Sequence, residues 1–585
     1  MSMIKEIRGK LAKEKLGAYV VAHGNRYIGQ DILPEEHKLK KLCGFSGSAG
    51  IAVVTVNKAY LLVDGRYELQ AGQETKSDEI KVKLVDDTYD EVITREMRQN
   101  DVDVLYAITQ FQNVCELLKA EGITNVGYDA WCHTVTEMEF IERYNHDINF
   151  FDVGDWFDEN AKHVVKVSER DIKFSGLGRR EKIAAVENML KEQKADYCLF
   201  ASADSVSWLM NIYAHELPFS PVVRAYALVD KGGEFVLFGD NLDTDLPHGN
   251  WQDFTDKMQH LGAAKLVYDA CRVPEKIKNL LGKDTRLIEA PDICQFLKAE
   301  KNPVELRGMI NCHIRDGVAL SKFLCWLEEN FENKRETDIV SKLHEFRASQ
   351  KYFFSESFGT IAGFAENGAI VHYQPSEKTD GKLRAGSLLL IDSGGQYLDG
   401  TTDVTRTVVL GRPSADMVKD FTLVLKAHIA LATARFPQDT PGVKLDTLAR
   451  SLLWQNGSDY KHGTGHGVAC FGNVHEGPIS ISVRRSAYGF KTNMITSDEP
   501  GIYKENQYGI RIESLLYTTE SKFAGFLEFK TLTKVPIDKR LIDKYMLDIG
   551  EQTWLNNYHK EVFDCLAPYM NEKEKIWLKD ACSPL

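Results

Sequence analysis

Over its first three hundred positions the chain alternates between apolar residues at helical spacing and short, continuous apolar runs. Ile4, Ile7 and Leu11 fall on one face at helical spacing and predict an amphipathic helix over residues 3–16. Runs that predict strands follow at 19–21, 51–54, 60–63 and 125–130. The same order recurs with a predicted helix at 180–193 and predicted strands at 197–200, 226–229, 235–238 and 265–270. This repeated alternation predicts two α/β domains of similar build, residues 1–155 and 156–300.

A third domain, residues 301–585, begins where Asn302 provides a helix N-cap and Pro303 a first helical residue. A long helix follows, and Thr337 is predicted to cap another helix at 338–349. Strands are predicted around 352–354, 369–371 and 388–391, and further helices at 414–434 and 443–455. The predicted class of this domain is therefore mixed α and β.

The C-terminal tail of this domain is predicted to be helical. Trp554, Tyr558, Val562 and Leu566 recur at a spacing of four residues, and Asn571 begins a capping-box pattern. Such an apolar stripe is either a dimer contact or ordinary packing on the third domain. The pattern alone favours packing.

Composition narrows the class of partner. Of the 585 residues 43% are apolar and 27% are charged, and the formal net charge of −13 with no basic face argues against nucleic acid. No run approaches eighteen uncharged apolar residues, so no membrane partner is expected. The eleven cysteines form no CxxC pair, and an odd number fits a reduced cytoplasmic chain better than a disulfide framework.

Two aspartates flank a predicted hairpin. Asp392 ends an apolar run, glycines follow it, and Asp403 comes just before the β-prone run 405–409. A hairpin of this length can bring the two carboxylates together, where they would repel each other unless a cation lies between them. The alternative is a pair of surface aspartates in turns.

Histidines and glutamates occur beside glycines further along. His462, His466 and His475 lie within fourteen residues, where glycines allow close approach of backbone or ligand. Glu499 precedes Pro-Gly, and strict alternation in 509–517 places Arg511 and Glu513 on one face of a strand. The alternatives are histidines satisfied in a core and a surface ion pair on an edge strand.

Together these residues supply four hard oxygen ligands and one imidazole. Such a set suits Mn²⁺, Co²⁺ or Zn²⁺ in a carboxylate-bridged pair, and disfavours thiolate zinc or copper sites. Ca²⁺ is the second choice, but its sites usually draw carbonyl ligands from one compact loop. Two metals would hold a bridging hydroxide as nucleophile and stabilise an oxyanion. The set of metal ligands is Asp392, Asp403, His466, Glu499 and Glu513.

In this order, the set resembles the site of the pita-bread metallopeptidases, and within them the long, three-domain, cytosolic Xaa-Pro aminopeptidases. The resemblance covers nearly the whole chain. The motifs that carry it outside the site lie at 45–50 with 64–67, 204–209 with 217–221, 301–305 and 554–559. It implies two creatinase-like α/β domains followed by a pita-bread catalytic domain with a helical tail.

The resemblance also implies roles for the ligands. Asp392 would bind one metal, His466 and Glu499 the other, and Asp403 and Glu513 would bridge the two. Mn²⁺ is the favoured ion, with Zn²⁺ or Co²⁺ as alternatives. Glu499 is also a candidate general base, although its role as a ligand is the better supported.

Further residues are implied to contact substrate. His372 and His475 are expected to be catalytic, donating hydrogen bonds as charge develops on oxygen. His462, Tyr503 and Arg511 match positions near a proline pocket. The remaining substrate-binding candidate is Arg66, for which the sequence leaves open whether the first domain reaches the site of a partner subunit.

The implied activity is release of the N-terminal residue from peptides with proline second, by a homodimer. Two alternatives stay open. A prolidase acting on Xaa-Pro dipeptides shares the catalytic fold but not the three-domain length. A non-catalytic binding protein on this fold would be expected to lack ligands that are all present in this chain.

Overall fold

A computed structural model of the chain describes residues 2–29, 32–75, 79–85, 102–157, 164–376, 378–483 and 488–585. The chain divides into two units. One contains Met1–Leu217 and Pro221–Phe296, and the other contains Pro218–Ser220 and Leu297–Leu585.

Two six-stranded sheets in the first unit have the same strand order and the same strand directions. In each, the first strand in sequence pairs antiparallel with the strand on one side and parallel with the strand on the other. Edge to edge, the strands are Lys81–Leu84, Ala59–Val63, Ile51–Thr55, Ala18–Ala22, Asn125–Tyr128 and Asn149–Asp152 in one sheet, and His248–Gly249, Phe235–Phe238, Tyr226–Asp230, Tyr197–Phe200, Lys265–Tyr268 and Arg286–Glu289 in the other. This shared topology confirms the prediction of two similar α/β domains.

Helices complete both domains. The predicted N-terminal helix is Met3–Glu14; it buries Ile4, Ile7 and Leu11 and ends where Lys15 turns left-handed. The predicted helix at 180–193 is Arg179–Gln193. The other α-helices described before the third domain are Lys38–Cys43, Glu68–Glu74, Val102–Ala120, Val135–Tyr144, Ile172–Ser175, Ala203–Met210, Trp251–Gln259, Glu275–Leu280 and Ile293–Ala299.

The second unit contains small antiparallel sheets that carry or adjoin the candidate ligand residues. Asp392 lies on the central strand of one of them, and Glu513 directly precedes a strand of another. The sheets are Ile361–Phe364, Ser387–Ser393 and Val404–Leu410; Phe353–Glu356, Gly395–Tyr397 and Gly400–Thr401; Arg435–Pro437, Phe526–Thr531, Ser514–Glu520 and Ile495–Asp498; Gly465–His466 and Ser480–Ile481; and Gly501–Lys504 and Tyr508–Arg511.

Helices pack against these sheets. Asn302 caps the first helix as predicted, since its side chain accepts from the N–H groups of Val304 and Glu305. The α-helices are Pro303–Asn330, Glu336–Ala348, Ala415–Ala432, Gly442–Trp454, Ile549–Leu566 and Glu572–Ala581. No helix in the described ranges is long and apolar enough to cross a membrane.

Two local predictions in this unit are wrong. Thr337 lies inside the first turn of the helix that begins at Glu336, and its hydroxyl and N–H bind Asp380 instead. Residues 369–371 do not form a strand, because Ala369 ends a 3₁₀ turn over Ala365–Ala369 and the Ile370 N–H donates to the Asn367 carbonyl within that turn. The error at Thr337 comes from a partner distant in sequence, which short-range patterns cannot register.

The helical tail is packed rather than exposed. Tyr558, Val562 and Leu566 are buried in the same apolar cluster as Ile510 and Ile512. In the described chain these residues therefore stabilise the second unit itself, which is the packing alternative. The predicted cap at Asn571 is confirmed, because its side chain accepts from the N–H of Glu574.

Candidate metal centre

The two aspartates are brought together by a hairpin. Ser387–Ser393 pairs antiparallel with Val404–Leu410, and Asp392 lies opposite Thr405, two residues after Asp403. Both carboxylates are buried. The predicted hairpin therefore exists, and the surface-turn alternative does not apply.

The predicted imidazole and two glutamates converge on the same place. Carboxylate oxygens of Asp403 and Glu513 and a ring nitrogen of His466 lie within 4.8 Å of one another. His466 Nε2 also lies 3.5 Å from Glu499 Oε1. Because its Nδ1 lies 3.0 Å from the Gly467 carbonyl oxygen, we assign the ring proton to Nδ1, which leaves the Nε2 lone pair directed at the acids.

Close backbone contact explains one of the glycines beside His466. A Cβ atom at Gly465 would lie 2.0 Å from the carbonyl oxygen of Ser497. The glycine thus lets the histidine strand lie directly against the strand that precedes Glu499.

Two hydroxyl groups that were not predicted from the sequence bind the candidate ligands. Thr405 donates to Glu513 Oε2 at 2.7 Å and accepts from Arg511 Nε at 3.0 Å. Ser497 accepts from the His466 N–H at 2.9 Å and donates to Glu499 Oε1 at 3.3 Å. The period-2 pattern of the strand that follows Asp403 was the available signal for Thr405, since both residues share a face.

Arg511 continues the polar network on the other side of the aspartates. Its guanidinium donates to Asp392 Oδ2 at 2.6 Å and to the Tyr503 hydroxyl at 2.6 Å. The Tyr503 hydroxyl lies 2.8 Å from His462 Nε2, and His462 Nδ1 lies 2.8 Å from the Gly463 carbonyl oxygen. If His462 Nδ1 carries the ring proton, the hydrogen bonds run from Arg511 to Tyr503, from Tyr503 to His462, and from His462 to the Gly463 carbonyl. Arg511 and Glu513 are 1% and 2% exposed, so they are not a surface ion pair.

The remaining predicted site residues are His475, His372 and Arg66. The exposed His475 ring packs edge-on against His466, with centroids 4.3 Å apart. His372 directly follows Val371, whose carbonyl accepts from Arg511 at 3.5 Å. Arg66 belongs to the first unit, where it forms an ion pair with Asp64 at 2.8 Å.

The electrostatics of the acids favour a bound cation. Burial and the charges of Asp392 and Glu499 raise the pKa of Asp403 well above its usual range. Burial and the charge of Asp403 do the same to the pKa of Glu513, and burial raises the pKa of Glu499 to about 8. These carboxyls therefore cannot all ionise near neutral pH unless positive charge is placed among them.

The histidines and an unused oxygen also fit metal binding. Burial lowers the pKa of His466, so the ring is neutral, the form that binds metals. Burial and the nearby Arg511 lower the pKa of His462 well below its usual range. Asp392 Oδ1 is buried and has no hydrogen-bond partner in the described part of the chain. Four carboxylates and one imidazole with a free lone pair fit a pair of hard or borderline divalent cations.

Comparison with known proteins matches the whole chain. Residues 3–159 and 158–305 each match the creatinase/prolidase N-terminal domain, 307–520 match metallopeptidase family M24, and 525–585 match the C-terminal region of that peptidase family. A probable Xaa-Pro aminopeptidase P of Laccaria bicolor is 34% identical, over 100% of this chain and 93% of that protein. The chain belongs to the aminopeptidase P group of metallopeptidase family M24.

Further comparisons support membership of this M24 group. Aminopeptidase P1 of Lotus japonicus is 33% identical, over 97% of each chain. The crystal structure of the Caenorhabditis elegans X-prolyl aminopeptidase, described as a cytosolic enzyme with a di-nuclear active site, matches with a TM-score of 0.88, 30% identity and 100% coverage of both chains. A prolidase of Pyrococcus horikoshii covers 61% of this chain and 99% of its own, at a TM-score of 0.50 and 22% identity, and so shares the fold alone. The predicted fold, two creatinase N-terminal domains and an M24 pita-bread catalytic domain, is confirmed.

Proposed function

We propose that this M24 metallopeptidase releases the N-terminal residue from peptides with proline at position two. The observation that carries the proposal is the convergence of four carboxylates, three of them buried, and one neutral imidazole, in a chain that matches Xaa-Pro aminopeptidases over its full length. Prolidase activity is the second candidate, but the solved prolidase covers only 61% of the chain.

In this proposal Asp392, Asp403, His466, Glu499 and Glu513 hold two divalent cations, with Mn²⁺ favoured over Zn²⁺ or Co²⁺. When bound, such a pair supplies a water of lowered pKa and positive charge that stabilises a developing oxyanion. His466 acts with Nε2 as its ligand atom because the Gly467 carbonyl binds its other nitrogen.

Substrate contacts are assigned to the residues around the ligands. Tyr503 and His462 form an ordered wall, since each is fixed by a hydrogen bond to the other. Proline has no N–H to recognise, so a pocket must select it by shape. His475 and His372 donate hydrogen bonds to the scissile carbonyl oxygen as charge develops there. Glu499 accepts the proton that the attacking water loses.

One assay tests the activity. Protein stripped with a chelator is incubated with an Xaa-Pro-Xaa peptide and with an Xaa-Pro dipeptide, each with and without added Mn²⁺. We expect cleavage of the longer peptide only when Mn²⁺ is present. Preferential cleavage of the dipeptide would establish prolidase activity, and no cleavage in any arm would favour a binding protein.

Two variants separate ligands from substrate contacts. Asp403→Asn should lose bound metal and turnover together, because it removes a bridging charge. His475→Ala should retain metal and lose turnover. Normal turnover of Asp403→Asn would contradict the two-metal proposal, and metal loss in His475→Ala would make that residue a ligand.

Assembly and location are also proposals. We propose a cytoplasmic homodimer with domains at 1–155, 156–300 and 301–585, in which Arg66 is a substrate-binding candidate. An odd number of cysteines with no CxxC pair supports a reducing compartment. Sedimentation equilibrium tests the dimer, and a KM that stays normal in Arg66→Ala would remove that residue from the site.

A further inference from the structure

Arg406 lies directly behind the metal centre. It follows Thr405 on the strand Val404–Leu410, so its side chain leaves the opposite face from the Thr405 hydroxyl that binds Glu513. The guanidinium is 1% exposed. Among the described residues no carboxylate lies within ion-pair distance of it. A buried charge without an acidic partner is costly, so its hydrogen bonds must stabilise it.

The guanidinium joins two parts of the second unit. On one side, Nη1 donates to the carbonyl oxygens of Thr405 at 2.9 Å and Glu513 at 2.5 Å. On the other, Nη2 donates to the Val535 carbonyl at 2.9 Å and to the Tyr558 hydroxyl at 2.8 Å. The second group of acceptors lies on the tail helix Ile549–Leu566 and on the segment that precedes it.

The position of Glu513 depends on these bonds. Glu513 lies between the strands Tyr508–Arg511 and Ser514–Glu520, and belongs to neither. Its N–H donates to the Thr405 carbonyl at 3.1 Å, and its own carbonyl accepts from Arg406. Arg406 therefore binds both carbonyls of the Thr405–Glu513 pair and holds the Glu513 main chain in place.

Tyr558 fixes Arg406 in turn. Its hydroxyl donates to the Val535 carbonyl at 2.7 Å, and its oxygen accepts from Arg406 at 2.8 Å and from the Val535 N–H at 3.3 Å. The Tyr558 ring stacks on Trp554, with centroids 5.4 Å apart and planes 2° apart. Trp554 also packs edge-on against His428, whose Nδ1 lies 3.1 Å from the carboxylate of Asp498, the neighbour of Glu499. The tail helix thus connects to the main chain of Glu513 through Arg406, and to the residue before Glu499 through His428.

We propose that the tail helix is a positioning element of the metal centre: Tyr558 orients Arg406, and Arg406 fixes the main chain of Glu513. The proposal rests on the role of Glu513 as a metal ligand. It assigns to the tail an effect on metal affinity in addition to its contribution to the apolar core.

The test uses Tyr558→Phe in the full chain, because it removes one hydroxyl and keeps the stacked ring. Mn²⁺ is titrated calorimetrically into chelator-stripped protein. We expect affinity to fall about 10-fold or more, as for other residues that orient metal ligands. The KM for an Xaa-Pro-Xaa peptide at saturating Mn²⁺ should not change.

Val562→Ala is the matched control. It lies one turn further along the same helix and is fully buried in the same cluster, and its hydrocarbon side chain forms no hydrogen bond, so the change weakens tail packing without removing one. We expect it to unfold at lower urea concentration and to bind Mn²⁺ normally. Normal Mn²⁺ affinity in Tyr558→Phe, or an equal loss in Val562→Ala, would overturn the proposal.

Glu513→Gln separates this inference from the proposed function. If Glu513→Gln loses Mn²⁺ while Tyr558→Phe retains it, the ligand assignment stands and the role of the tail is refuted. If Glu513→Gln binds two Mn²⁺ ions as tightly as the wild type, the ligand assignment itself is wrong, and the inference falls with it.

Discussion

The hydroxyl of Thr405 offers a sharp test of how the centre is organised. It donates to a Glu513 carboxylate oxygen and accepts from Arg511 Nε, so Thr405→Val removes both bonds with little change in volume. A hydrogen bond to a charged group contributes about 1.5–3 kcal/mol, and an unpaired buried donor costs about 1–3 kcal/mol. We expect the free energy of unfolding to fall by about 2–4 kcal/mol.

Metal affinity should respond as well. Loss of a residue that orients a ligand typically weakens metal binding by about 10–100-fold, equivalent to about 1.4–2.7 kcal/mol. Calorimetric titration of stripped protein with Mn²⁺ measures this quantity, and urea denaturation of the same protein measures stability.

Thr407→Val is the control for this experiment. Thr407 lies two residues on along the same strand and also makes two hydrogen bonds, but both are to the main chain of Arg511, at 3.0 and 3.1 Å. It should lose stability similarly while changing Mn²⁺ affinity by less than about threefold, since no carboxylate is released. Equal loss of affinity in both variants would refute the idea that the hydroxyl of Thr405 orients Glu513.

Three further predictions concern the pH dependence of stability, stabilisation by bound metal, and the contact of Arg450 with the main chain of His462. Burial lowers the pKa of His559 to about 3. As the pH falls below 6.5, the unfolded state therefore binds a proton that the folded state does not, and the free energy of unfolding falls by up to about 1.4 kcal/mol per pH unit. His559→Gln, which can still accept from the Ile537 N–H, should reduce this slope in urea titrations between pH 7 and 5; an unchanged slope would exclude a contribution from His559. Stripping the metal should lower the melting temperature, and Mn²⁺ at a hundred times its Kd should restore about 2.7 kcal/mol; a melting temperature indifferent to Mn²⁺ would contradict the site. Arg450 donates to the His462 carbonyl at 2.6 Å, so Arg450→Lys should raise the KM for proline-second peptides while leaving kcat normal, whereas the exposed Arg435→Lys should change neither. Equal kinetics in the two variants would mean that Arg450 does not position His462.

Much of the fold was predictable because local and tertiary preferences agree. Each apolar run that predicted a strand in the first three hundred residues forms one. The strands of each domain form their own sheet, and the two sheets have the same topology. The hairpin after Asp392 followed from a strand, a glycine turn and a second β-prone run. The prediction that Thr337 caps a helix was wrong because the carboxylate that binds its hydroxyl, that of Asp380, lies 43 residues away.

The candidate site was also predictable only in part from the sequence. Spacing and chain order were enough to select residues that the structure brings together, such as Asp403, His466 and Glu513. Residues that support them were not selected, because Thr405 and Ser497 have ordinary side chains whose importance depends on a partner. Arg406 is the clearest case: its acceptors lie up to 152 residues further along the chain.

The order of the ligands has a consequence for synthesis. Asp392, the first of the proposed ligands, leaves the ribosome 121 residues before Glu513, the last, and Tyr558 follows 45 residues after Glu513. The two N-terminal domains can fold while the catalytic domain is still being made. A complete set of the proposed ligands, however, cannot exist until Glu513 has been made. A nascent chain that has not reached Glu513 therefore cannot hold both proposed metals, and capture of the full metal pair reports that synthesis has passed this residue.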